Sequence, residues 1–157
     1  MAEHEHTYRL QIEWTGNRGS GTSAYRAYGR EHTIRAAGKA DIAGSSDPAF
    51  RGDAARWNPE ELLVAAAATC HQLWYLHLCA DAGVEVTAYE DDAVGAMHDG
   101  PDGGAFTGIV LRPRVTIAPG SDAAVARALH ATAHARCYVA NSVNFAITCD
   151  PDLVVGA

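Results

Sequence analysis

The sequence has no disulfide framework, no long apolar run and no excess of positive charge. Its four cysteines are too few and too widely spaced to be the scaffold of a small secreted domain. The longest apolar run, residues 62–68, is far shorter than the roughly 20 residues that cross a bilayer. The net charge is −7, with 12 basic and 19 acidic residues, so no basic patch indicates nucleic acid or an anionic membrane as a partner.

What remains is the composition of one globular domain. The chain has 157 residues, of which 48% are apolar and 20% are charged. A chain of this size buries roughly 70% of its unfolded surface, so it needs no disulfide or structural metal for stability. We therefore predict a single domain over residues 1–157. Because no secretory signal precedes the cysteines, we expect a reducing, cytoplasmic location.

The first third of the chain has the pattern of a small sheet. Residues 7–14, TYRLQIEW, alternate between apolar and polar side chains, which is the period of a half-buried strand. A glycine-rich turn follows, and residues 22–28 and 32–36 are predicted to be two further antiparallel strands. Residues 37–57 lack periodicity and are predicted to be a long loop.

The clearest local signal is a helix start. Asn58 is a capping residue, Pro59 occupies the first helical position, and Glu61 stands three residues after the cap. The helix is predicted to run to about residue 82, where Gly83 supplies a left-handed stop. Residues that recur at intervals of three and four form one face of this helix: Leu63, Ala66, Cys70, Leu73, Trp74 and His77. The opposite face is also apolar, so we expect a sheet or a second subunit to cover most of the helix.

The second half of the chain predicts strands, a helix and a final strand. Residues 84–88 and 106–117 favour two strands around a turn at residues 98–104. Ser121 is the predicted cap of a helix that ends near Arg136, with Val125, Ala128, Leu129 and Thr132 facing inward. Residues 144–155 are predicted to form a closing strand. The whole pattern predicts an α+β fold with segregated helices.

Cys70 is a candidate nucleophile with a competing structural interpretation. A nucleophilic cysteine must be a thiolate, which requires a cation, a hydrogen-bond donor or a helix N-terminus beside it. Cys70 lies roughly 12 residues into its helix, where the macrodipole has faded. A cation from another segment must therefore activate it, and Arg18 and Arg26 are the candidates. Without such a cation, cysteine in an alanine-rich helix is more often a small core residue.

Metal binding has a weaker signal. His130 and His134 are four residues apart on the second helix, a spacing that can hold a metal, with Cys137 as a third ligand. No HExxH glutamate accompanies them, and two histidines on a solvated helix face are usually incidental. We expect no metal site and no cofactor. Cys79 and Cys149 are predicted to be packing residues.

Two motifs resemble the family of osmotically inducible protein C and organic hydroperoxide resistance protein, OsmC/Ohr. They are NPEELLVAAAATCH at residues 58–71 and CYVANSV at residues 137–143. The resemblance covers nearly the whole chain, including the opening strand and its glycine-rich turn. It implies antiparallel sheets wrapped around the two long central helices of an intertwined homodimer, with active sites at the subunit interface.

The resemblance also implies a thiol-dependent peroxidase that reduces organic hydroperoxides and is regenerated by a dithiol reductant. Cys70 matches the peroxidatic cysteine and Cys137 the resolving one. Glu60 matches the acid that pairs with an arginine, for which Arg18 is the nearest match and Arg26 the competitor. The sequence departs from many members by Tyr138 in place of proline and by His71 after Cys70. The alternative is a non-enzymatic binding protein that holds a small lipophilic or thiol ligand at the dimer interface.

Glu60 and Cys70 cannot touch directly. They are ten residues apart, which on a straight helix is about 15 Å of rise with nearly 80° of rotational mismatch. An arginine of roughly 7 Å reach connects them only if the helix start bends, if its loop moves between them, or if one group comes from the other subunit.

Overall fold

The computed structural model describes residues 4–157 and divides at Leu62 into two units, residues 4–62 and residues 63–157. The first unit contains three strands and the second contains six strands and a helix, while the longest helix begins in the first unit and continues into the second. The prediction that the chain is a single domain stays a prediction. The strands are β1 Gln11–Trp14, β2 His32–Arg35, β3 Ile42–Gly44, β4 Val86–Asp91, β5 Val94–Gly100, β6 Gly103–Leu111, β7 Pro113–Ile117, β8 Ala146–Cys149 and β9 Asp152–Val155, and the helices are α1 Pro59–Asp81 and α2 Ala123–Arg136.

The first unit is built on an antiparallel sheet in the order β1-β2-β3. β1 confirms the strand predicted from alternation. The turn after it is closed by the Trp14 indole, which donates to the Gly29 carbonyl at 2.8 Å, and by the Gly29 amide, which donates to Gly16 at 2.8 Å. A side chain at Gly16 would collide with the Gly29 carbonyl, so this close approach requires glycine there.

The strand predicted at residues 22–28 is wrong, because this segment forms successive turns. Gly19 and Gly21 adopt positive φ angles, which an extended strand does not use. The carbonyls of Tyr25 and Tyr28 accept hydrogen bonds from the Arg30 guanidinium at 2.8 and 2.6 Å. That guanidinium also lies over both tyrosine rings. The Arg30 side chain therefore supplies the hydrogen-bond donors that a neighbouring strand would otherwise supply to these two carbonyls.

The loop predicted at residues 37–57 contains some regular structure. β3 pairs with β2, and a 3-10 turn covers Pro48–Phe50, with the Asp47 carboxylate accepting from the Ala49 amide. β3 is only three residues long, too short for alternation to reveal it.

The predicted start and end of α1 are both confirmed. The Asn58 side chain accepts from the Glu61 amide at 2.8 Å, and the Glu61 carboxylate accepts from the Asn58 amide at 3.2 Å. This reciprocal pair satisfies two backbone N–H donors at the helix start. Gly83, with φ of 71°, follows the helix as the left-handed residue.

The buried face of α1 differs from the face on which Cys70 lies. Its buried residues are Ala67, His71, Tyr75, Leu78 and Cys79. Leu73, on the predicted face, is 67% exposed, and Cys70 is half-buried. By length and composition α1 also passes for a membrane-crossing helix, a property that core helices of soluble proteins share. The helix is apolar all round, so its sequence does not reveal which side is covered.

Two three-stranded sheets, in the orders β4-β7-β9 and β5-β6-β8, form the second unit. The prediction of two strands around the turn at residues 98–104 is wrong, because four strands occupy this part of the chain: β5 was missed, and Arg112 separates β6 from β7. The hairpin is formed by β5 and β6, with a turn that is narrower than predicted, while β4 pairs with β7. The single closing strand is two strands, β8 and β9, which pair parallel with β6 and β7. The pairs β4–β7 and β5–β6 are antiparallel. Because β8 and β9 add parallel pairs, both sheets of the second unit are mixed.

α2 begins one residue later than predicted. Asp122 is the cap, and its carboxylate accepts from the amides of Ala124 and Val125. The Ser121 hydroxyl instead accepts from the Glu85 amide at 3.0 Å. The buried residues of α2 are Ala126, His130 and Ala133. The predicted inward face of α2 is wrong, because the buried face is rotated by about one residue around the helix. Apolar periodicity assigned His130 to the surface, whereas the structure buries it.

We predict that Asn58→Ala lowers the free energy of unfolding by about 1 kcal/mol, because it leaves the Glu61 amide without its capping acceptor. Asn58→Asp keeps an acceptor and adds a negative charge at the helix N-terminus, so it should retain stability. Urea denaturation followed by circular dichroism measures both variants. Equal loss in the two variants would contradict a capping role.

Candidate functional site

Cys70 and Cys137 lie together in the second unit. Cys70 projects from the middle of α1, and Cys137 is the residue that ends α2. Although the two residues are 67 positions apart in the chain, the Cys70 thiol is near enough to Cys137 to contribute to the raised pKa of the Cys137 thiol. Both cysteines are free, and Cys70 is half-buried whereas Cys137 is buried.

The surroundings of Cys137 hold its thiol protonated. Burial, and then the neighbouring Cys70 thiol, raise the pKa of Cys137 to about 11, against an opposing hydrogen bond from the Ala140 amide. That amide donates to the Cys137 sulfur at 3.4 Å. The side chain is only 2% exposed. Cys137 is thus a poorly accessible thiol that stays protonated near neutral pH, which suits a residue that reacts second.

An apolar groove of about 250 Å³ lies on α1 beside the Cys70 position, lined by Leu73, Trp74 and His77. Leu73 and Trp74 are three and four residues after Cys70, so they share its helix face. The rings of Trp74 and Tyr138 meet edge-on, with their centroids 5.6 Å apart. The Arg136 guanidinium lies 5.7 Å from the centroid of the Trp74 ring. Arg136 is a cation next to this face that the sequence analysis did not consider.

The remaining predicted site residues belong to the first unit. Arg18 is largely exposed, and its guanidinium lies 3.6 Å from the Glu31 carboxylate. Arg26 is exposed. Glu60 is half-buried and takes no part in the helix cap, and among residues 4–157 it forms no ion pair. The roles of Arg18, Arg26 and Glu60 stay predictions.

The other two cysteines have different surroundings. Cys79 is 1% exposed in a core cluster with Tyr75 and Val115, in agreement with a packing role. Cys149, at the end of β8, instead lies beside two buried histidines. Its sulfur is 3.6 Å from Nε2 of His71 and 3.8 Å from Nδ1 of His130.

His71 and His130 face each other across the two helices. Nε2 of His71 and Nδ1 of His130 are 3.0 Å apart, and the residues are 1% and 4% exposed. Burial lowers the pKa of each histidine to about 4, so both rings are neutral near pH 7. Tyr75 fixes His130 by stacking on its ring at 3.9 Å and by donating from its hydroxyl to the Ala126 carbonyl.

This cluster replaces the set of ligands considered from the sequence. In the described part of the chain, His71, His130 and Cys149 bring their ligand atoms within 4.8 Å of one another, whereas His134 and Cys137 join no such group. The three residues are separated by 59 and 19 positions, and only His71 lies in one of the two motifs named above. The one available sequence signal was that His130 lies four residues from Ala126 and three from Ala133, on an alanine-rich stripe.

The two units together have an α+β fold that solved structures share. A protein from Vibrio cholerae described as OsmC-like and of unknown function is 29% identical, with a TM-score of 0.82 over 96% of this chain and 99% of that chain. The sequence pattern of the OsmC-like protein family matches residues 52–152. The chain therefore belongs to the OsmC-like family, as its two motifs predicted.

More distant structures show the same fold. An organic hydroperoxide resistance protein OsmC from Legionella pneumophila is 18% identical, with a TM-score of 0.67 over 99% of this chain and 100% of that chain. An organic hydroperoxide resistance protein from Elizabethkingia anophelis is 16% identical, with a TM-score of 0.66 over 98% and 100%. No curated protein sequence matches the chain significantly.

We predict that iodoacetamide labels Cys70 before Cys137 or Cys79, because the latter two are 2% and 1% exposed. With the pKa of Cys137 raised to about 11, its thiolate fraction grows with pH. Its labelling rate should therefore rise about tenfold per pH unit between about pH 7 and about pH 10. Quenched labelling with peptide mass spectrometry measures each site. Equal rates at Cys70 and Cys137, or a flat pH profile for Cys137, would contradict the assignment.

Proposed function

We propose that this protein is a thiol-dependent peroxidase that reduces organic hydroperoxides with Cys70 and Cys137. The observation that carries the proposal is the proximity of two free cysteines, one half-buried on α1 and one buried at the end of α2, where Cys70 contributes to the raised pKa of Cys137. Membership of the OsmC-like family supports a redox role. The names of the Legionella and Elizabethkingia proteins supply the substrate class.

The cycle has three balanced steps. The Cys70 thiolate attacks the terminal peroxide oxygen, the O–O bond breaks, and the alkoxide leaves as an alcohol after it takes up a proton. The resulting Cys70 sulfenic acid condenses with the Cys137 thiol, which forms a disulfide and releases water. A dithiol then reduces this disulfide, becomes a disulfide itself and restores both thiols.

The raised pKa of Cys137 suits this order of events. Burial is its main cause, but the hydrogen bond and the charge of Cys70 also contribute. Attack on peroxide converts Cys70 to a sulfenic acid and removes its negative charge. Cys137 therefore becomes easier to ionise only after Cys70 has reacted.

The apolar groove supports an organic substrate. Leu73 and Trp74 follow Cys70 on the same helix face and line a groove of about 250 Å³. An alkyl chain would bury its apolar surface there while its peroxide group lies towards the thiol. Leu73 is 67% exposed, and so this face also suits the second subunit of the predicted homodimer.

The alternative function is non-enzymatic binding of a small lipophilic or thiol ligand. The same groove would serve such a ligand, so it does not distinguish the two functions. Consumption of peroxide does distinguish them, because a binding protein leaves the O–O bond intact.

We predict that Cys70→Ser reduces the consumption of cumene hydroperoxide to the rate without protein, since serine supplies no polarizable thiolate. Cys137→Ser should give one turnover per chain and then stall, with one or more oxygen atoms added at Cys70. Stopped-flow measurement with dithiothreitol as reductant, followed by intact-mass analysis, records both results.

Cys79→Ser is the matched control, because Cys79 is a buried cysteine on the same helix and has no role in the cycle. It should keep nearly full activity. Sustained turnover by Cys137→Ser would remove Cys137 from the mechanism. Equal losses in all three variants would mean that the cysteines act through folding.

A separate prediction concerns the activating cation. Arg18→Met should slow peroxide attack about tenfold or more without unfolding the protein, because a guanidinium stabilises both the thiolate and the departing alkoxide. We expect a larger effect from Arg18 than from Arg26, since the glycines around Arg18 permit its loop to close over the thiol. Glu60→Gln should give a smaller defect, because it removes the partner of the guanidinium and not the charge.

The measurement is the alkylation rate of Cys70 against pH, together with the rate of peroxide attack. Arg26→Met and Arg136→Met are the comparison variants, and Arg136 is included because it lies beside the Cys70 face. Unchanged alkylation in all three arginine variants would contradict activation by any of these guanidinium groups.

A further inference from the structure

The cluster of His71, His130 and Cys149 has no role in the proposed peroxide cycle. Its three ligand atoms are separated by 3.0, 3.6 and 3.8 Å. A triangle with these sides has a circumscribed circle of about 2.0 Å radius, so one point lies at nearly equal distance from all three atoms. Zinc binds histidine nitrogen at about 2.0–2.1 Å and cysteine sulfur at about 2.3 Å.

The separations also suit a tetrahedral ion. With those bond lengths, a tetrahedral angle separates two nitrogens by about 3.3 Å and a nitrogen from a sulfur by about 3.6 Å. The cluster meets this requirement to within a few tenths of an ångström without movement of the backbone. Its ligands come from three elements, α1, α2 and β8, which are held together by the core of the second unit.

We propose that Nε2 of His71, Nδ1 of His130 and Sγ of Cys149 form a zinc site with three protein ligands, whose fourth position is filled by water. Two neutral imidazoles and one thiolate are ligands that zinc prefers. When the ion binds, the Cys149 thiol releases its proton to solvent and the sulfur coordinates as a thiolate. The hydrogen bond between His71 and His130 is lost, and the ring that donated in it carries its proton on its other nitrogen instead. This proposal departs from the sequence analysis, which expected no metal.

Unsatisfied polar atoms around the cluster provide an independent observation. Nδ1 of His71, Nε2 of His130, the Tyr89 hydroxyl and Oδ2 of Asp91 are all buried without a hydrogen-bond partner among residues 4–157. Buried polar atoms are rarely left unpaired, so each of these atoms indicates a partner such as an ion or an ordered water. The two ring nitrogens lie on the far side of their imidazoles from the proposed ion and would pair with ordered water. The Tyr89 hydroxyl and the Asp91 carboxylate lie near Cys149 and are the candidates to pair with a water on the fourth zinc position.

The charges near the cluster also favour a cation. Asp91, whose Oδ2 is buried without a hydrogen-bond partner among residues 4–157, lies near enough to Cys149 to act on its sulfur electrostatically. The carboxylate and a Cys149 thiolate repel each other, and a divalent cation between them converts this repulsion into attraction. Zinc with one thiolate retains a net charge of +1, which Asp91 offsets.

A cobalt and zinc titration of the Cys70→Ser/Cys137→Ser protein tests the site, because the Cys70 and Cys137 thiols could themselves bind zinc. After treatment with a chelator, this protein should bind one zinc ion per chain in competition with a chromophoric chelator. Co²⁺ should give a thiolate-to-metal charge-transfer band and the intense visible bands of tetrahedral coordination. Adding Cys149→Ser should abolish the charge-transfer band and weaken zinc binding by about 100-fold or more, since loss of an outer-shell partner alone costs 10–100-fold.

His134→Gln and Cys79→Ser are the matched controls, because they change a histidine of α2 and a cysteine of α1 outside the cluster. Both should leave zinc affinity unchanged, whereas His71→Gln and His130→Gln should weaken it. Circular dichroism checks that each variant is folded. Zinc binding that survives Cys149→Ser, or no stoichiometric binding at all, would overturn the proposal.

X-ray absorption of the zinc-loaded natural chain provides a readout without substitution. The proposal requires one sulfur and two ring nitrogens around the ion. Two sulfur ligands would place zinc on the Cys70 and Cys137 pair and overturn the assignment, as would a shell without sulfur. This measurement does not depend on peroxide turnover, so it tests the zinc site separately from the proposed enzyme activity.

Discussion

The contact of Tyr75 with α2 is the interaction on which the chemistry of the second unit depends. Tyr75 is fully buried, stacks on His130 at 3.9 Å and donates its hydroxyl to the Ala126 carbonyl. A backbone acceptor and an aromatic face together fix both the position and the rotation of α2 along α1. With that register set, the end of α2 reaches Cys70 and its middle reaches His71.

Neighbouring residues of α1 consequently lie in two separate surroundings. Successive side chains on a helix point about 100° apart, so Cys70 and His71 face different surroundings. Cys70 is half-buried beside an apolar groove and meets Cys137, which suits transient reaction with a substrate. His71 is 1% exposed and meets His130 and Cys149, which suits a permanent ligand.

The two cysteine environments differ in how each thiol can ionise. Burial is the main cause of the raised pKa of both Cys137 and Cys149. The further causes differ, because Cys70 contributes at Cys137, whereas Asp91 and Asp150 contribute at Cys149. Family membership establishes the fold around both thiols. The proposals of a redox pair and of a metal ligand start from this difference between the neighbouring groups.

By itself the sequence determined the features that depend on contacts within a few residues. The cap of α1 at Asn58 and Glu61 and the stop at Gly83 were predictable because capping bonds and left-handed glycines are local. The functional pairing of Cys70 with Cys137 was implied by the resemblance of motifs and stays a prediction. The turns held by Arg30, the phase of α2 and the cluster of His71, His130 and Cys149 were decided by tertiary structure. They depend on side chains up to 78 residues apart, whose approach follows from the packing of helices and the parallel pairing of β8, which no local pattern encodes.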